Sequence, residues 1–93
     1  MTKYRILLSQ TAVSQLELLE SKEKKRVKEA LFGLEEDPFR NRPRADIKKL
    51  RHPSEPPLFR LRIGDYRAIY FVISNEVRVT EIIHRSKGYD WLG

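Results

Sequence analysis

The residues that could do chemistry cluster in two places. The stretch Leu58–Val72, LFRLRIGDYRAIYFV, carries Arg60, Arg62 and Arg67 around a Gly-Asp dipeptide. Further on, HRSKGY supplies His84, Arg85 and Tyr89. Arginine forks bind phosphate bidentately but do not easily give up a proton. A histidine is the side-chain type that titrates near neutrality, and Tyr89 is close enough in sequence to reach back over a sheet ending at Arg85. Cleavage of RNA can use this set. The ribose 2′-hydroxyl attacks the neighbouring phosphate, cationic groups stabilise the crowded negative charge, and a base and an acid move two protons. Metal, redox and acyl-transfer chemistries find no support. There is no cysteine, the histidines are His52 and His84 alone, and neither a Gly-rich phosphate loop nor a nucleophile elbow occurs. No metal and no cofactor are expected.

The charge distribution points the same way. Residues 1–39 hold seven basic and seven acidic side chains, whereas residues 40–93 hold twelve and six, so the whole +6 excess lies in the C-terminal part. Basicity confined to one region suits a polyanionic partner, whether nucleic acid or an acidic protein. With 93 residues, 40% of them hydrophobic and 34% charged, one domain spanning 1–93 is expected, and it is compact rather than disordered. The N-terminal apolar run is too short for a signal peptide, and no stretch approaches the ~20 apolar residues of a membrane span. A cytoplasmic protein with no membrane association is expected.

The elements that must position these residues follow from periodicity. Alternation over Lys3–Leu8 predicts a strand. Ser9 or Thr11 can cap a helix carrying Ala12, Leu16 and Leu19 on one face; Ser21 can cap a second, with Val27, Leu31 and Leu34 as its stripe, ended by Glu36-Asp37-Pro38. Residues 39–57 read as irregular because of Pro43, Pro53, Pro56 and Pro57. Strands follow at Leu58–Ile63, Tyr66–Ile73 and Val77–Arg85. The order is β-α-α-β-β-β: an α+β domain with a helical hairpin packed on a mainly antiparallel four-stranded sheet.

Gly64-Asp65 fits a two-residue hairpin loop. It pairs Arg62 with Arg67 and Arg60 with Ile69. Alternation then puts Leu61, Ile63, Tyr66, Ala68 and Tyr70 against the helices, and Arg60, Arg62, Arg67, Ile69 and Phe71 on the other face. A three-residue loop Ser74-Asn75-Glu76 adds Glu81, Ile83 and Arg85 to the arginine face; a two-residue loop adds His84 instead and turns Arg85 inward. Burying a lone guanidinium is costly, which favours the three-residue loop. Like charges opposite one another destabilise a sheet. A single arginine there is ordinary surface; four converging on one face, with Phe71 and Ile69 between them, suit RNA, whose bases stack on aromatic and guanidinium planes.

The helical hairpin ending in LEEDP, then IKKLRH, the LFRLRIGDYRAIYFV block and the final HRSKGY together resemble the RelE/ParE superfamily of toxins from type II toxin–antitoxin pairs, over nearly the whole chain. The middle block followed by HR and a tyrosine is the specific part. The resemblance implies a RelE-like fold and, in the RelE branch, an endoribonuclease that cuts mRNA in the ribosomal A site. By motif it implies Arg60 and Arg62 as phosphate binders, Arg67 and Arg85 as transition-state stabilisers, and Tyr89 for stacking or proton transfer. Lys48, Lys49 and Arg51 would contact RNA backbone. The branch often has lysines where this chain has Arg60 and Arg62, so the general base falls to His84 or to a perturbed arginine. The resemblance also implies a cognate antitoxin as partner, beside ribosome and mRNA. Two other readings are a ParE-like gyrase inhibitor and a catalytically inactive, antitoxin-binding member.

Overall fold

The computed structural model describes residues 3–51 and 53–87. Its elements run β1 (Arg5–Leu8), α1 (Gln10–Glu17), α2 (Ser21–Phe32), a 3₁₀ turn (Gly33–Glu35), β2 (Asp46–Lys49), β3 (Phe59–Ile63), β4 (Tyr66–Ile73), β5 (Glu76–His84) and a second 3₁₀ turn (Arg85–Lys87). The strands form one sheet in the order β1-β5-β4-β3-β2, with β1 parallel to β5 and every other pair antiparallel. The α+β arrangement is the expected one. No helix among the described residues is long and apolar enough to cross a membrane.

The helices start where local chemistry lets them. Ser9 is extended, and its hydroxyl accepts the Ala12 N–H at 3.0 Å, capping α1. The same hydroxyl donates to the Thr80 carbonyl at 2.7 Å, so the cap also fastens α1 to the sheet. The second helix begins on Ser21, but Ser21 is not its cap: the cap position is an extended Glu20 that makes no side-chain capping hydrogen bond. Both helices cover one face of the sheet, α1 over β5 and α2 over β3. Ala12, Leu16, Val27, Leu31 and Leu34 are buried there against Leu61, Ala68, Tyr70, Val77 and Ile82. Burying a side chain of Val or Leu size contributes about 1.5–3 kcal/mol, so these stripes hold the helices down.

The fully buried Tyr70 ties the link between α2 and β2 to the core. Its hydroxyl donates to the Pro38 carbonyl at 2.7 Å. Around it, Asp37 Oδ1 accepts the N–H groups of Phe39 and Arg40, and Arg42 donates to the carbonyls of Asp37, Arg40 and Gly33.

Two expectations need correction. The sheet has five strands, not four, because the proline-flanked segment contains β2. No proline falls between Pro43 and Pro53, and buried Ile47 alternates with exposed Asp46 and Lys48. That leaves room for a short edge strand paired with β3. The β4–β5 loop has two residues, not three: Ile73 pairs with Glu76, and Ser74 takes φ 55°. Such a loop alone would have exchanged the faces of β5. A bulge prevents it. Tyr70 pairs with Val79 and Ile69 with Glu81, leaving Thr80 as the extra residue, its hydroxyl donating to the Ile69 carbonyl at 3.2 Å. The bulge restores Glu81 and Ile83 to the face of Arg67. The placement of Glu81 and Ile83 therefore stands, by a different route, while Arg85 falls past the end of β5 in the second 3₁₀ turn.

Candidate functional site

The helix-free face of the sheet carries two cross-strand rows. One runs Asp46–Arg62–Arg67–Ile83 across β2, β3, β4 and β5; the next runs Lys48–Arg60–Ile69–Glu81. Side chains in a row share a face because strand alternation has period two. The hairpin that aligns β3 and β4 turns on Gly64, at φ 57°, and the Arg26 guanidinium lies 2.9 Å from where a Cβ would be. Only glycine meets both demands without strain or displacement.

A small apolar cluster of its own supports the charged rows. Leu50, Ile69 and Ile83 are buried there, with Leu58 packed against them. Burial next to this cluster is what perturbs Arg67. It is only partly exposed, and its Nη1 is buried without a hydrogen-bond partner among the described residues. Desolvation depresses its pKa most; the like charges of Arg60, Arg62 and Arg85 depress it further, and Asp46 opposes them. An unpaired buried guanidinium nitrogen is expensive. An anion lying on this face would supply the missing acceptor.

Arg60 is largely covered and holds Asp46 Oδ1 at 3.4 Å, while Arg62 is exposed. Arg85 begins the 3₁₀ turn after β5. Its N–H donates to the Asp65 carbonyl at 2.7 Å and its Nε lies 3.6 Å from the Asp65 carboxylate, which keeps its charge near Arg67. Lys48 joins the face opposite Arg60. Lys49 pairs with Phe59 and points to the other face at the sheet edge, and Arg51 is exposed beyond β2. Phe71 is half-buried on the arginine face, opposite Arg78, beside a groove of about 240 Å³ lined also by Leu7 and Thr80.

His84 is not brought to the arginines. It pairs with Tyr66 on the opposite face, the two rings edge-to-face at 5.2 Å, and its Nδ1 accepts the Ser86 N–H at 3.1 Å. Tyr89 lies outside the described residues. No cluster of three or more His, Asp or Glu side chains suited to a metal occurs among the described residues. One member of the charged face, Asp46, was missed from sequence because its segment read as irregular. The Asp-Ile-Lys alternation between two prolines was the available signal.

Residues 6–89 match the family described as the ParE toxin of the type II toxin–antitoxin system parDE. The chain belongs to this family. The solved structures agree with the match. A chain of the archaeal RelE–RelB complex from Pyrococcus horikoshii is 28% identical at a TM-score of 0.78, covering 94% of this chain and 100% of that one. A chain of the RelBE2 toxin–antitoxin complex from Mycobacterium tuberculosis is 26% identical at 0.75, with coverages of 90% and 100%. A free Escherichia coli RelE mutant shares the fold at a TM-score of 0.61 and 20% identity, covering 97% and 92%. No functionally curated protein matches. The RelE/ParE kinship and RelE-like fold expected from LFRLRIGDYRAIYFV and HRSKGY therefore hold, and this ParE-family chain is a toxin of a type II toxin–antitoxin system.

Proposed function

We propose that this toxin is a ribosome-dependent endoribonuclease that cleaves mRNA in the ribosomal A site and so inhibits translation. The observation that carries the reading is Arg67: a half-buried guanidinium whose Nη1 has no partner among the described residues, set among Arg60, Arg62 and Arg85. Its burial and the surrounding repulsion are offset when a phosphate lies on the face. Arg60 and Arg62 bind the scissile phosphate. Arg67 and Arg85 stabilise the additional charge that develops as the 2′-oxygen attacks phosphorus. Phe71 stacks on a base, and Tyr89 stacks or moves a proton. Lys48, with Lys49 and Arg51 along the β2 edge, contacts RNA backbone. His84 lies on the other face against Tyr66 and takes no part in proton transfer in this reading. Solved relatives are toxin–antitoxin complexes, which supports a cognate antitoxin as this chain's partner, with the ribosome in the cytoplasm as its target.

Primer extension on translated mRNA tests the reading. The wild-type chain yields codon-phased cuts, and Arg67→Ala abolishes them. Cuts that persist unchanged in an Arg67→Ala, Arg85→Ala double variant refute the site. The parDE description of the matching family favours a second reading, inhibition of a type II topoisomerase without RNA cleavage. That reading requires intact mRNA together with impaired supercoiling by purified gyrase.

A further inference from the structure

The arginine face supplies phosphate binding but, from sequence, no proton acceptor. The geometry points to Asp46 as the general base of the reaction. The assignment rests on the ribonuclease reading above.

Three observations converge on this side chain. Asp46 ends the row Asp46–Arg62–Arg67, so it shares the face on which a phosphate would sit, on the strand next to that of Arg62 and directly opposite it. Its Oδ1 lies 3.4 Å from Arg60 Nη2, which orients the carboxylate; its Oδ2 makes no hydrogen bond among the described residues. The side chain is 51% exposed, so a bound strand can reach it. A carboxylate accepts protons, whereas guanidinium groups only donate. Two other acids share the face by register: Glu81 is half-buried beside Ile69 and already engaged in an interaction of its own, and Glu76, at the far end of β5 from Arg67, is held by Arg78 and Arg5.

The step balances without a metal or a co-reactant. Asp46 removes the 2′-hydroxyl proton as the 2′-oxygen forms a bond to phosphorus. The P–O5′ bond breaks, leaving a 2′,3′-cyclic phosphate. The departing 5′-oxygen takes a proton from solvent, and Asp46 returns its own to solvent afterwards. Arg62 and Arg67 hold the non-bridging oxygens throughout.

Single-turnover cleavage on programmed ribosomes across a pH series tests the assignment, using the wild type, Asp46→Asn, Asp46→Glu and Glu81→Gln. General-base catalysis contributes about 10²–10⁴-fold. Asp46→Asn should therefore lose at least about 100-fold, and the rise of rate with pH on the acid side should vanish with it. Asp46→Glu retains that rise at a lower rate. Thermal unfolding at the wild-type midpoint establishes that the Asn variant is folded; if it is not, the Glu variant carries the test through its pH profile. A uniform loss in Asp46→Asn that keeps the acid limb shows that Asp46 merely orients Arg60, and overturns the proposal. So does full activity of Asp46→Asn beside loss in Glu81→Gln. A wild type that leaves translated mRNA intact overturns the ribonuclease reading itself, and this assignment with it.

Discussion

Arg62 and Arg67 are direct cross-strand partners on β3 and β4, with both guanidinium groups on the face of the sheet that no helix covers. Like charges in that relationship destabilise a sheet, and Arg67 is desolvated as well. The fold carries a local cost at this pair.

Arg67→Met removes the charge and keeps much of the volume beside Ile69 and Ile83. Replacing a partly buried charge whose Nη1 has no partner among the described residues by an apolar side chain should stabilise the chain by about 1 kcal/mol, seen as a higher urea midpoint at unchanged m-value. Cleavage should fall at least about 100-fold, the usual cost of removing one electrostatic stabiliser. A variant that is less stable than wild type contradicts the account of Arg67.

Ser74 takes φ 55° in the β4–β5 loop, a region that disfavours side chains other than glycine's. Ser74→Gly should raise stability by about 0.5–1 kcal/mol and leave cleavage unchanged. Chemical denaturation checks the first half and primer extension the second.

Tyr70→Phe leaves the Pro38 carbonyl without its donor in a buried site. Losing one partner of a buried hydrogen bond costs about 1–3 kcal/mol. Burial also pushes the Tyr70 phenol well above its ordinary range. Spectrophotometric titration should therefore show Tyr70 silent until the alkaline unfolding transition.

Asp37 has its pKa lowered, chiefly by the Phe39 N–H and, against the effect of burial, by the N–H and guanidinium of Arg40 and by the charge of Arg42. A carboxyl whose folded pKa lies below the unfolded one stabilises the fold above the unfolded value and loses that contribution as pH falls through the folded value. Wild-type stability should thus decline as pH drops below about 3.9, the ordinary aspartate value. In Asp37→Asn the decline should be shallower. Thermal midpoints of both proteins between about pH 2 and 6 decide the matter; parallel curves contradict it.

Much of this was legible in the sequence because it depends on local rules. Gly64-Asp65 dictated the β3–β4 register, and with it the opposition of Arg62 and Arg67, since a two-residue loop leaves one pairing. The helical stripes through Ala12 and Leu16 and through Val27 and Leu31 identified the covered face, because period 3.6 and burial coincide there. Three features were decided only in the tertiary structure. A bulge at Thr80, held by the Ile69 carbonyl, offset a loop one residue shorter than expected, and nothing local to β5 announces where a ladder will slip. The β2 strand exists because β3 offers it an open edge, which proline content alone could not reveal. Asp46 entered the arginine face with that strand, so the one acid aligned with Arg62 and Arg67 became visible only once a long-range pairing, costly in chain entropy, had been made.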